Sequence, residues 1–318
     1  MFFRNFFIKL RDKLFLNAMK SYFQQMEKRF EYISAKLEQN EKFLVKLDNE
    51  SAKKELLTEY YEDFSKRLNY LSYDVNGRLC TNISRLFSVF ATHSKVFPQY
   101  KGIYRGKSVV IVGAGPTVND FVPIKNSVYI GLNRAFKFNK INFDYLFAID
   151  KCGIKDYYEE FFNYRNGACI KFIGDQNNGA AYQIPEGKIT GDKVYRYLTT
   201  ASQFLNRFTY HIDSEPLGNY ETVSLQAMQF VLYTNPAKIY LVGIDCTPNG
   251  HFTGKTEFTT DRTEEEFKNN MAHNVEDWNS LKDFASTYYP DTQIISVNPV
   301  GLKGIFKDWY QAEGEEPK

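Results

Sequence analysis

The stretch IVGAGPTVNDF, residues 111–121, follows two valines, so an apolar strand runs into a glycine turn. Gly113, Ala114, Gly115, Pro116 and Thr117 form a strand–glycine–helix device that brings backbone N–H groups to a phosphate or a ribose. Pro116 suits the first turn of a helix, where its missing N–H costs nothing. A dinucleotide fingerprint demands a third glycine where Val118 stands, and an acid at the end of the second strand, where Asn133 stands. The stretch therefore fails as a specific NAD site. It stays open as a general nucleotide turn or as a tight turn that binds nothing.

Three other strand ends carry polar groups: GLN ends at Asn133, AID at Asp150 and GID at Asp245. In an open parallel sheet such carboxyl ends face one crevice. Asn133 can read a base edge or a ribose hydroxyl. Asp150 and Asp245 can accept hydroxyl hydrogens from a ribose or sugar, or cap the helix that follows. Histidine titrates near neutrality and suits a proton-abstracting role. Of His93, His211, His251 and His273, two stand near these ends in sequence. His251, in PNGHFTG, falls on a loop beside the late strand's carboxyl end, where it can hold a phosphate or act as a base. His273 begins HNVEDWNSLKDF, with Glu276 one helical turn on. Each could equally be an ordinary surface or hydrogen-bonded histidine. Arg134, Lys255 and Arg262 are placed to stabilise a leaving anion. No His/Cys cluster or DxD triplet calls for a metal, so none is expected.

The elements that must hold these groups divide near residue 100. Residues 1–95 contain one Gly and no Pro and have helical composition; Pro98 and Gly102 punctuate the change. Within the first 23 residues, Phe2, Phe3, Phe6, Phe7, Leu10, Leu14 and Phe15 recur at helical spacing among Arg4, Lys9, Arg11, Lys13 and Lys20. Such a basic amphipathic helix docks on the inner face of a membrane or on protein. Residues 24–72 continue as a coiled-coil stalk or helical hairpin, a route to a homo-oligomer. From Ser108 on, strands are expected at Ser108–Val112, Ser127–Leu132, Tyr145–Ile149, Cys169–Ile173, Lys238–Asp245 and Gln293–Val297, with helices over about Val223–Tyr233 and Glu264–Thr287. The expected fold is α/β: a Rossmann-like, mostly parallel sheet with helices on both faces over 101–318, preceded by the helical region 1–100.

Composition narrows the function classes. A net charge of +2 gives no basic field for nucleic acid. Cys80, Cys152, Cys169 and Cys246 form no CxxC pair and read as free thiols of a reducing compartment. No apolar run spans a membrane, and the N-terminus lacks an export signal. The expected location is cytoplasmic, including the inner membrane surface.

The series VVIVGAGPTV, YIGLNRAF, YLFAID and KIYLVGIDC resembles the bacterial sialyltransferases of glycosyltransferase family 42 over about residues 105–300. It equally resembles the related Rossmann domain of motility-associated-factor flagellin glycosyltransferases and the MptE-like pterin pyrophosphokinases. The resemblance implies a metal-independent, inverting transfer from a CMP-activated acidic sugar to a cell-surface glycan or glycolipid, with a histidine base. It implies nucleotide contacts at Gly113, Ala114, Gly115, Pro116, Thr117, Asn133 and Asp150, a Thr-Ser at Thr222 and Ser224 before the late helix, and a catalytic histidine opening a helix in a His-x-x-Glu, matched by His273. Ala114 stands where the family has Asn. CTPNGHFTGK, without a tyrosine, stands where the family's phosphate-binding tyrosines follow GID. A Kdo-type donor therefore fits as well as sialic acid. Two alternatives remain open: an ATP- and Mg²⁺-dependent MptE-like pyrophosphokinase, and a non-catalytic scaffold of glycan assembly.

Overall fold

A computed structural model describes residues 35, 62, 89, 91–149, 153–175, 184–200, 208–218, 220, 222–247, 250–253, 264–314 and 316. The amphipathic N-terminal stretch, most of the stalk, Cys80, Asp150, Cys152, Lys255 and Arg262 lie outside these residues. The chain divides into two compact units, Met1–Leu79 and Cys80–Lys318. The second carries the sheet, and residues 91–100, which fall within the helical region expected over 1–100, contribute Phe97 and Tyr100 to its core.

Eight strands form one sheet: β1 Ser108–Val112, β2 Ser127–Leu132, β3 Tyr145–Ala148, β4 Ile170–Asp175, β5 Val194–Leu198, β6 Lys238–Val242, β7 Gln293–Val297 and β8 Lys307–Trp309. Their order is β5-β4-β3-β2-β1-β6-β7-β8, and every neighbouring pair is parallel. The expected Rossmann-like α/β class is the observed one. Both faces of a parallel sheet are covered, which is why VVIV, YLFA and IYLV are continuous apolar runs and do not alternate with polar residues.

Residues one apart on a strand face opposite layers. Val109 and Ile111 join one core with Phe147, Phe172, Ile239 and Leu241, whereas Val110 and Val112 join the other with Leu146, Ile173 and Val242. The second layer is closed by Val118, Phe121, Phe136 and Phe138 and by the short helix α1, Tyr158–Asn163, through Phe161 and Phe162. The first is closed by α2, Val223–Tyr233, and α3, Glu264–Tyr288. Every residue of α2 is buried, so its polar side chains need internal partners. Gln229 Oε1 accepts from the Gly218 and Thr209 N–H groups, and Gln226 Oε1 accepts from the Tyr197 hydroxyl at 2.7 Å.

The boundaries expected for β1, β2, β7 and α2 match the observed ones, and β3, β4 and β6 shift at their ends. β5, β8 and α1 were not foreseen. The segments after β1 and β2 are five-residue 3-10 helices, Pro116–Asp120 and Asn133–Lys137, not α-helices. Neither has the aligned peptide dipoles of a long helix to offer an anion.

One buried histidine ties the segment 91–100 to the sheet. His93 is fully buried; its Nδ1 lies 2.8 Å from the Ile212 carbonyl and 3.1 Å from that of Glu215, and its Nε2 accepts the Leu198 N–H at 2.8 Å. Only the neutral ring protonated at Nδ1 satisfies all three. Burial accordingly lowers its pKa to about 4. Because the folded value lies below the unfolded 6.5, the stability this group confers is present above pH 6.5 and lost as pH falls toward 4. Urea unfolding between pH 7.5 and 4.5 should show this loss, approaching about 3 kcal/mol in all. His93→Gln should be less stable at pH 7 and should flatten the pH dependence in that window; an unchanged slope in the variant would contradict the assignment.

Candidate functional site

Strand order reverses between β1 and β6: the chain walks outward from β1 to β5, then returns through α2 to lay β6 on β1's free side. This is the switch point at which open α/β sheets form a crevice beyond the carboxyl ends of their strands. The glycine turn leaves β1 at this point and packs on the residues that leave β6. The Gly113 N–H donates to the Val242 carbonyl and the Gly115 N–H to that of Gly243, each at 2.8 Å. A Cβ at Gly113 would lie 2.4 Å from the Gly243 oxygen, and one at Gly115 would lie 2.5 Å from the Asp245 carboxyl and 2.7 Å from the Gly243 oxygen. Gly243 itself adopts φ +63°. Both turn glycines are thus required by the approach of protein backbone, before any ligand is considered.

Asp245 completes the joint. Its carboxylate accepts the Thr117 N–H at 3.1 Å and the Thr117 hydroxyl. Burial raises its pKa, and the two Thr117 hydrogen bonds oppose that rise. Asp245 thus caps the 3-10 turn that starts at Pro116, through Thr117 128 residues earlier, and not the helix that follows it in sequence. Its own carbonyl accepts the Gly301 N–H at 2.8 Å, where a Cβ on Gly301 would lie 2.6 Å from that oxygen. The Val118 N–H donates to the Gly115 carbonyl at 3.2 Å and closes the turn.

Asn133 leaves β2 with φ +50°. Its Oδ1 is buried without a hydrogen-bond partner. The side chain lies over Gly153, where a Cβ would come within 2.3 Å of Asn133 Cγ. Arg134, buried, places its guanidinium 5.7 Å from the Tyr157 ring centroid, and Lys137 covers the same ring at 4.6 Å while pairing with Glu160. Thr222 caps α2 by accepting the Ser224 N–H at 3.4 Å, and the two hydroxyls lie 2.8 Å apart. Since α2 runs from the carboxyl side of the sheet to the start of β6, this cap opens toward the strand ends that carry the turn.

The two candidate histidines separate. The Phe252 N–H donates to the Ala114 carbonyl at 2.9 Å, and its ring packs edge-on against Phe138, 6.2 Å between centroids. These contacts seat His251 beside the glycine turn. His273 does not open a helix: it stands well inside α3, which begins at Glu264. Its side chain is 74% exposed, its Nδ1 faces Glu276 at 3.3 Å, and no described contact joins it to the turn. The same helix is held by Trp278, fully buried and edge-on to Phe306 at 5.9 Å.

Sequence reasoning missed Gly153, Gly243 and Gly301 as spacers. It also missed Thr247 and Thr253, whose Oγ1 atoms are buried without partners. Among the described residues no group of three or more His, Cys, Asp or Glu could hold a metal ion, and no helix is long and apolar enough to cross a membrane. Cys169 and Cys246 are free thiols, each pushed up to about 12 by burial.

No protein-family model matches the chain, and no curated protein matches it. Solved structures similar to it include the sialyltransferase CstII from Campylobacter jejuni with the substrate analogue CMP-3FNeuAc, at 14% identity and a TM-score of 0.34. The same enzyme with a trisaccharide acceptor and CMP gives 15% and 0.34, and a tyrosine-to-phenylalanine variant with CMP gives 15% and 0.35. Each likeness covers 60% of this chain and 80% of the other.

The geometry of the joint makes a stability prediction that needs no ligand. Gly115→Ala should destabilise the protein by about 2 kcal/mol or more, because its Cβ meets a carbonyl and a carboxylate that the sheet holds in place. Gly187→Ala, with nothing within 4 Å, should stay within about 0.5 kcal/mol of the wild type. Chemical denaturation of both variants checks this, and equal stability would show that the turn can move off Gly243.

Proposed function

We propose that the chain is a glycosyltransferase that moves a CMP-activated acidic sugar, of the sialic acid or Kdo type, onto a cell-surface glycan, with inversion, a histidine base and no metal. The observation that carries this reading is the meeting of four segments at the β1–β6 switch point: the glycine turn, the Asp245 joint, the His251 segment and, one strand over, Asn133 with its buried, unpartnered Oδ1. A buried amide oxygen without a partner is an acceptor waiting for a donor, and the exocyclic amine of a base or a ribose hydroxyl supplies one. The Ala114 N–H lies on the turn beside it in the sheet order. The motif series that resembles the family 42 sialyltransferases supports the nucleotide as CMP.

In this reading Gly113, Gly115, Pro116, Thr117 and Asp245 build the rigid wall of the crevice, and Ala114, Asn133 and Asp150 touch the nucleotide. Thr222 and Ser224 cap α2 beside them. The acceptor hydroxyl gives its proton to a histidine as its oxygen bonds the anomeric carbon, while the bond from that carbon to the phosphate oxygen breaks on the opposite face and its electron pair leaves with CMP. His251 is the base that the geometry favours, because its segment is hydrogen-bonded to the turn. His273 keeps that role open only if the acceptor reaches the exposed face of α3.

CMP should bind without added metal, and turnover and CMP affinity of His251→Ala and His273→Ala should part the roles. His251→Ala should lose about 10²–10⁴-fold in turnover with CMP still bound, and His273→Ala should stay near wild type. The reverse pattern moves the base to His273. Two active variants would rule out histidine catalysis, and a wild type that binds no CMP would overturn the donor assignment.

A further inference from the structure

A cavity of about 420 Å³ opens between the last turns of α3 and the amino ends of β7 and β8. That volume falls in the ~300–1,000 Å³ range of small-ligand sites. Lys282 enters its lining from α3 and Lys307 from β8, and no carboxylate lines it. Among the described residues neither lysine makes an ion pair. Two uncompensated cations at one cavity suit an anion. The rest of the lining asks for more than a bare ion. Ile294, Ile305 and Phe306 form an apolar wall. Ser286 Oγ already donates to the Lys282 carbonyl, and Thr292 Oγ1 to that of Pro236, each at 2.8 Å. A hydroxyl has one hydrogen to give, so both lining oxygens are left as acceptors. The matching ligand carries a negative group, an apolar face and hydroxyl hydrogens of its own, and a carboxylate-bearing sugar has all three. Tyr289, also in the lining, packs at 5.4 Å on Tyr210, which packs at 5.5 Å on Tyr288, centroid to centroid. Tyr210 and Tyr288 are 37% and 53% exposed, so aromatic surface continues from the cavity wall into solvent, where the C–H face of a further sugar can lie on the electron-rich face of a ring.

We propose that this cavity is an accessory site for an acidic sugar of the acceptor glycan, its carboxylate held by Lys282 and Lys307 and its hydroxyls donating to Ser286 Oγ and Thr292 Oγ1. This rests on the glycosyltransferase reading above. β7 and β8 run parallel to β1 and β6, so their amino ends lie a strand length, roughly 15 Å, from the carboxyl ends that carry the crevice. The sugar held here is therefore not the one transferred. It belongs to a longer acceptor whose growing end reaches the crevice. A second hold on that chain raises the effective concentration of its end at the crevice.

The test is calorimetry on the full chain with three probes: the α2,8-linked trimer of N-acetylneuraminic acid, the same trimer methyl-esterified and so neutral, and inorganic phosphate as a bare anion. Wild type should bind the trimer more tightly than either of the others. Lys282→Gln combined with Lys307→Gln should weaken the trimer by about tenfold. Lys125→Gln combined with Lys188→Gln removes the same charge from exposed positions outside the lining and should leave its affinity unchanged. Both pairs should keep the ligand-free melting temperature, which separates lost binding from lost folding. No binding of the trimer, equal binding of the ester or of phosphate, retained affinity in the Lys282 and Lys307 pair, or an equal loss in both pairs would each overturn the proposal. CMP affinity, measured in the same samples, should be unchanged by either pair. A wild type that binds CMP but not the trimer removes the accessory site alone, whereas one that binds no CMP removes the donor reading on which it rests.

Discussion

The structure depends on one close approach. The backbone that leaves β1 at Gly113 lies against the backbone that leaves β6 at Gly243, and Asp245 bonds Thr117 across the seam. Nothing larger than glycine fits there. Because β6 must reach β1's free side, the chain has to cross over the sheet after β5, and α2 is that crossover. The reversal of strand order, and with it the crevice, follows from the same contact. The Phe252 hydrogen bond to Ala114 and the Gly301 hydrogen bond to Asp245 then add two further segments to the rim.

A crossover helix beneath another helical layer is buried on every side, and the polar chemistry of the first core follows from that. Gln226 and Gln229 have no water to turn to and so fix Tyr197 and the segment 208–218. His93 does the same for the segment 91–100 by joining it to Ile212, Glu215 and Leu198. Around these polar points lies an aromatic layer. Phe230 of α2 packs within 6.1 Å of Phe97, Tyr100, Tyr145, Phe147 and Phe172, centroid to centroid. Rings of this size contribute large buried areas, which is why a stretch with the composition of the preceding helical region becomes part of the α/β body.

Much of the fold was legible because its strands are long apolar runs closed by Gly, Asn or Asp. VVIV before Gly113, YIGL before Asn133 and IISV before Asn298 end where the sequence says they end. VYRYL at β5 was not legible, since an edge strand carries polar residues and has no continuous apolar signal; β8 is only three residues long. The site was legible at its strand ends and illegible in its contacts. Thr117 and Asp245 stand 128 residues apart, and no local pattern announces that they bond. Pro116 opens a 3-10 turn as readily as an α-helix, so the proline was read correctly and the helix was not. His273 belonged to a recognisable helix, but it stands inside that helix and on the face away from the buried Trp278 and Leu281, so it is exposed.

Hydrogen exchange with and without CMP tests the central claim most directly, because it reports where a ligand orders the backbone without any substitution. The account predicts slowed exchange at 113–117, 133–137, 245–247 and 250–253, the segments that lie at or beside the carboxyl ends of β1, β2 and β6, with the opposite ends of the strands unchanged. Protection confined to the opposite ends, or no protection at saturating CMP, would contradict a nucleotide site at the switch point.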